Sequence, residues 1–169
     1  MDPALSKSIR QVRLLVFDFD GVFTDNTVWV NQEGVESVRC WRSDGLGLQR
    51  LRQAGLPAMV LSTEENPVVS ARCRKLKIEC VQGSVDKRAS LVELAKARGI
   101  DLDQIAYLGN DTNDLGCLQS VGFPMVVEDA YPGVIPLARY RTRAKGGFGA
   151  VREVCDLFAD MIGKGDVAP

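Results

Sequence analysis

Asp18 and Asp20 stand one residue apart in "VRLLVFDFDGVFTDNTVWV" (12–30), with Gly21 directly after them. Ionised carboxylates held this close repel each other, and each is costly to desolvate. A solvated strand end tolerates such a pair, and so does a site that places positive charge between them. Three more polar groups follow apolar runs or open helical patterns: Ser62-Thr63 after "PAMVL", Lys87 after "ECVQG", and "GNDTND" (109–114) after "IAYL". Taken singly, each has an ordinary explanation as a turn, a cap or a solvated helix residue. Together they put a carboxylate pair, a hydroxyl, an ammonium and a second acidic cluster in order along the chain. Chance explains that order poorly.

What is missing narrows the chemistry further. The chain has 169 residues and no histidine. Ser-His-Asp and Cys-His triads are therefore excluded, as are His-ligated zinc sites. Acid–base work falls to carboxylates, lysine or tyrosine, and an oxygen-only donor set calls for a hard cation, magnesium first. The net charge of −1, with Lys and Arg scattered, lacks the basic footprint of a nucleic-acid binder. No apolar run reaches the ~18 residues of a membrane span. The polar start "MDPALSKSIRQ" has no signal-peptide core. Five dispersed cysteines without a C-x-x-C pair suit a reducing cytoplasm.

The elements that must position these groups alternate between short apolar strands and helical patterns. Strands are expected at 13–18, 57–62, around 79–83, at 105–109 and at 123–127, with a possible edge strand in "RYRT". A hairpin is expected over 27–41, turning at "NQEG". Helices follow at "SDGLGLQRLRQAG", with Ser43 as cap and Gly55 as stop, and at "ENPVVSARCRKLK", with Asn66 as cap and Pro67 in the first turn. Others run from Ser84 or Asp86 to Gly99, over 113–122, briefly in "YPGVIPLA", and over 148–162. This alternation predicts an α/β fold: a Rossmann-like parallel sheet with helices on both faces and a small β-hairpin flap. A single domain is expected over residues 12–163, with 1–11 and 164–169 as flexible tails. In such sheets ligands bind at the carboxyl ends of the strands, which is where the four polar groups fall.

"VFDFDGVFTD", Ser62, Lys87 and "GNDTND" resemble the four ordered motifs of the haloacid dehalogenase superfamily of phosphohydrolases. "DGLGLQRLRQAG", "VDKRASLVELAKARGI", "YLGNDTNDLGCLQSVG" and "GGFGAVREV" are similar to its capless sugar-acid phosphatases, over roughly residues 12 to 160. That group includes 3-deoxy-D-manno-octulosonate 8-phosphate phosphatases, sialic-acid-type 9-phosphate phosphatases and the C-terminal module of some CMP-sialate synthases. The resemblance implies a Mg2+-dependent phosphatase acting on an eight- or nine-carbon α-keto sugar acid phosphate. Asp18 would be the nucleophile and Asp20 the proton donor and acceptor. Ser62, Thr63, Lys87 and the amides around Gly21 would hold the phosphoryl group. Asp18, the Asp20 carbonyl, and Asn110 or Asp111 would hold the metal, with Asp114 supporting from behind. One position departs from the family pattern: Asn110 stands where an Asp is common.

The resemblance leaves other matters open. Glu64, two residues after Ser62, and Lys75, one helix later, resemble the nine-carbon branch and would read the sugar acid. Equally, Glu64 suits a helix N-terminus and Lys75 a solvated basic face. Between Asp20 and Ser62 the hairpin and one helix fill the chain, so no cap domain fits. The apolar hairpin, with Trp29, is expected to make an oligomer contact, a tetramer in the family. Arg143, Lys145 and Arg152 of "RAKGGFGAVRE" are expected on a mobile loop that meets a neighbour's substrate. Two rival functions compete: a catalytically idle oligomerisation module, which Asn110 favours, and a phospho-accepting receiver domain. The order of the motifs disfavours the second, because a receiver is phosphorylated at its third strand.

Overall fold

The computed structural model describes residues 3–163. Strand β1 (Leu14–Phe17) is flanked by β4 (Ala58–Leu61) and β6 (Ile105–Gly109). Beyond them lie β5 (Glu79–Val81) on one side and β7 (Phe123–Val126) with β8 (Tyr140–Arg141) on the other. The order is β5-β4-β1-β6-β7-β8, and every neighbouring pair is parallel. All residues of β1, β6 and β7 are buried, as strands covered on both faces must be.

From β1 the chain moves through α2 (Asp44–Gln53) and α3 (Val68–Leu76) toward β5, then returns through α4 (Lys87–Arg98) and α5 (Leu115–Leu118) to β7. Right-handed crossovers in opposite directions put the two helix pairs on opposite faces. The closing helix α6 (Ala150–Gly163) packs on α2. Phe17 lies opposite both Val60 and Leu108, so β1, β4 and β6 end at the same level. That register brings Asp18, Ser62 and Asn110 to one edge.

Local chemistry sets the boundaries. Asn66 caps α3 by accepting from the Val68 N–H at 3.0 Å. Asp86, rather than Ser84, caps α4 by accepting from Ala89 N–H at 2.9 Å, while Ser84 pairs with Ser90. Ser43 precedes α2 but makes no capping bond. The helix expected over 113–122 shrinks to a 3-10 turn at Thr112–Asp114 and the four residues of α5. The chain beyond it is packed tightly at Gly122, where a Cβ would lie 2.0 Å from the Asp103 carbonyl oxygen. "YPGVIPLA" forms only a 3-10 turn, Ile135–Leu137. The hairpin is present but short, with β2 (Trp29–Val30) antiparallel to β3 (Glu36–Ser37).

The N-terminal tail reading needs correction. Pro3–Arg10 form helix α1, which packs on α6, and Ile9 is buried in the core. Leu5, Ile9 and Val12 are spaced at helical intervals, and burial of that stripe is what holds the segment down. Residues 164–169, read as the second tail, lie outside the described residues.

Candidate active site

Asp18 is the first residue past β1, and its N–H continues the ladder to the Leu108 carbonyl at 2.9 Å. Its side chain is buried, and Oδ1 accepts from Phe19 N–H at 2.7 Å. Lys87, the first residue of α4, is also buried and places Nζ 2.7 Å from Asp18 Oδ1 and 2.8 Å from Asp114 Oδ1. Asp114 is fully buried. It also accepts from the Tyr107 hydroxyl at 2.7 Å and from Asn110 N–H at 2.8 Å, which fixes the loop after β6.

Two buried carboxylates thus share one ammonium, so with both ionised the cluster is one positive charge short. Burial, followed by the charge of Asp114, pushes the Asp18 carboxyl up to about 8 despite Lys87. Burial works against the Lys87 charge, but Asp18 and Asp114 outweigh it and raise its pKa. Asp20 is raised by burial first and then by the nearby charge of Glu64, which favours the protonated form that a proton donor needs.

A cavity of about 70 Å³ opens here, lined by Asp18, Asp20, Asn26, Thr63, Asn110, Asp111 and Asn113. Its donors are oxygens of carboxylates and amides, and the cluster behind it lacks a positive charge, so it fits a hard divalent cation. Among the described residues no group of three or more acidic or cysteine side chains forms a ready-made cage. That suits magnesium, which usually binds through one or two carboxylates and keeps water or substrate phosphate as its other ligands.

Ser62 is buried, and its Oγ accepts from Glu64 N–H at 3.1 Å, which leaves the hydroxyl proton to donate. Glu64 Oε1 accepts from Asn66 N–H at 2.7 Å, and Asn66 Nδ2 donates to Glu36 of the hairpin at 3.3 Å. The loop after β4 and the flap are therefore joined. The Gly21 N–H is not free for a phosphoryl group, since it donates to Thr24 Oγ1 at 3.1 Å. Gly21 serves by shape instead. Its φ is +72°, and a Cβ there would lie 2.0 Å from Asn110 Nδ2.

Two expectations fail within one chain. Lys75 sits exposed in the last turn of α3 and lines neither the catalytic cavity nor the pocket beside it. At 1.5 Å per residue, the helix carries it roughly 10 Å from the loop that holds Glu64. The glycine loop is packed rather than mobile: Gly147 N–H donates to the Val22 carbonyl at 3.0 Å and Gly146 N–H to Asp129 Oδ1 at 2.9 Å. Arg152 is occupied by Asp156 at 2.6 Å. Sequence reasoning also missed Tyr107, Thr24, Asn26 and Asn113. Only Tyr107 carried a signal, a phenol inside a fully buried strand that must find a partner.

The sequence pattern of the haloacid dehalogenase-like hydrolases matches residues 62–152. A 3-deoxy-D-manno-octulosonate 8-phosphate phosphatase from Escherichia coli K12 is 35% identical over 160 residues, which are 94% of this chain and 85% of that protein. The chain belongs to the haloacid dehalogenase-like hydrolases. Within them it is a phosphoric monoester hydrolase without a cap. The Moraxella catarrhalis 3-deoxy-D-manno-octulosonate 8-phosphate phosphatase, solved with magnesium, phosphate and KDO, superposes with a TM-score of 0.91 at 33% identity. That match covers 95% of this chain and 93% of that one. The cobalt-bound Haemophilus influenzae enzyme gives 0.87 at 29% identity, covering 93% and 92%. Among the described residues no helix is long and apolar enough to cross a membrane.

Proposed function

We propose that this protein is a magnesium-dependent phosphatase of an eight- or nine-carbon α-keto sugar acid phosphate, working through an aspartyl-phosphate on Asp18. The observation that carries this reading is the buried Asp18–Lys87–Asp114 cluster, one positive charge short, beside an oxygen-lined cavity. A divalent cation held by Asp18, the Asp20 carbonyl, and Asn110 or Asp111 would supply the missing charge and shield the phosphoryl oxygens. Asp18 attacks phosphorus as the ester bond breaks, and Asp20 delivers its proton to the departing sugar oxygen. Asp20 then takes a proton from the water that hydrolyses the aspartyl-phosphate. The Ser62 hydroxyl and Lys87 ammonium stabilise the charge on the phosphoryl oxygens, with Thr63 beside them at the cavity wall.

The relatives named above support a sugar acid as the leaving group, and we assign Glu64, whose charge is close enough to raise the Asp20 pKa, to read it. Lys75 can serve only from a neighbouring subunit. A homo-oligomer, a tetramer by our reading, is supported by the exposed Val28, Trp29, Val30 and Val35 of the flap. Five free thiols fit a cytoplasmic setting. The test is a substrate screen with magnesium, comparing 3-deoxy-D-manno-octulosonate 8-phosphate, nine-carbon 9-phosphates and p-nitrophenyl phosphate. The reading requires a sugar acid phosphate to have the highest kcat/KM. No metal-dependent turnover on any of them would favour the idle oligomerisation module, which Asn110 suggests.

A further inference from the structure

Beside the catalytic cavity lies a second one of about 290 Å³, lined by Gly21, Asp25, Asn26, Asn110, Asp129 and Tyr131. The two share Asn26 and Asn110 as a common wall. Gly21, the residue after Asp20, also lines it, so the second cavity adjoins the place where a leaving group would depart.

The lining is polar, and among the described residues it includes neither lysine nor arginine. Asp25 is already satisfied: Arg39 donates to Oδ2 at 3.1 and 2.8 Å, and Thr27 donates to Oδ1 at 2.6 Å through its hydroxyl. Asp129 uses Oδ1 for Gly146 N–H, and its other oxygen has no partner among the described residues. Tyr131 is anchored through its backbone, which donates to the Asn110 carbonyl at 2.8 Å. Its ring is half exposed, and its hydroxyl has no partner among the described residues. Asn26, held at φ +63°, adds a side-chain amide with no partner among the described residues.

The nearby Arg39 is committed to Asp25, so the lining offers acceptors and neutral donors without an uncommitted cation, which disfavours a carboxylate and suits hydroxyl groups. Its size lies at the small end for ligand sites, enough for a short polyol chain. We propose that this pocket receives the hydroxyl-bearing part of the leaving group, with Asp129 and Tyr131 as specificity-determining side chains. The inference rests on the sugar acid phosphate reading and adds where that sugar lies. The acid's own carboxylate then points away from this pocket.

The test uses Tyr131→Phe and Asp129→Asn in the full chain, with thermal melts as a folding control. Phe keeps the ring, and Asn keeps an oxygen for Gly146 N–H. The readout is the ratio of kcat/KM for 3-deoxy-D-manno-octulosonate 8-phosphate to that for p-nitrophenyl phosphate, which has no polyol. Each variant is expected to lower this ratio about tenfold, chiefly through KM, as the loss of one strong hydrogen bond predicts. Ratios within twofold of wild type in both variants would overturn the subsite alone. A wild-type enzyme that hydrolyses p-nitrophenyl phosphate but no eight- or nine-carbon sugar acid phosphate would overturn the functional reading and the subsite with it.

Discussion

Lys87 is where charge and stability meet. Removing it leaves Asp18 and Asp114 buried with no cation, and breaking a buried ion pair typically costs about 3–5 kcal/mol. Lys87→Met should lower urea-derived stability by an amount in that range and abolish turnover. Adding Asp114→Asn removes one stranded charge, so the double variant should regain stability without regaining activity. Stability that stays low in the double variant would show that packing, not charge, is what Lys87 supplies. At this scale much was legible. Asp18, Asp20, Ser62, Asn110 and Asp111 follow the strand ends that their spacing indicates, and Lys87 and Asp114 stand in the first turns beyond them, because a parallel sheet brings those ends to one edge. Which atoms hold which was not legible. That Gly21 gives its N–H to Thr24, or that Tyr107 props Asp114, depends on side-chain packing that no short motif encodes.

Two junctions between elements test the packing. Asp44 in the first turn of α2 is buried and accepts from Arg152 N–H of α6 at 3.1 Å, while its second oxygen has no partner among the described residues. Burial, opposed by that hydrogen bond and by Arg72 and Arg152, pushes its carboxyl up to about 7. The folded state therefore holds this proton more tightly than the unfolded chain does. The resulting stability is complete below the usual carboxylate range and is lost as pH rises toward 7, with a ceiling of about 1.4 kcal/mol per pH unit. Asp44→Asn should flatten the fall in stability between about pH 4 and pH 7, as followed by chemical denaturation. Equal slopes in both proteins would show that Asp44 titrates as if unburied.

The second junction is the glycine loop, where a Cβ on Gly146 would lie 1.9 Å from the Gly21 carbonyl oxygen. Gly146→Ala must push the loop off the Gly21 turn. It should cost roughly 2–3 kcal/mol and lower turnover of sugar and aryl phosphates alike. An unchanged melting temperature would mean that the loop is as mobile as its composition suggests. Composition misled here because glycine serves both freedom and close approach, and only the tertiary fold distinguishes them. The strands and longer helices, by contrast, were set by periodicity and caps. The α1 stripe was overlooked only because its few apolar residues stand among polar ones.

Over the whole molecule, the flap is the feature one chain does not account for. Val28, Trp29, Val30 and Val35 expose more than half of their surfaces together, and Lys75 is exposed and lines neither cavity. A sedimentation measurement should give the mass of a homo-oligomer, and Trp29→Glu should shift it toward the monomer of 18.5 kDa. A wild-type monomer would leave Lys75 without a role in binding. The chemistry itself is tested most directly by trapping. Borohydride reduces an aspartyl-phosphate to homoserine, so quenching the enzyme with it during turnover of a sugar acid phosphate marks the attacking residue. Peptide mass spectrometry should find homoserine at residue 18, dependent on substrate and magnesium. Turnover that leaves residue 18 an aspartate while another carboxylate is reduced would contradict the account.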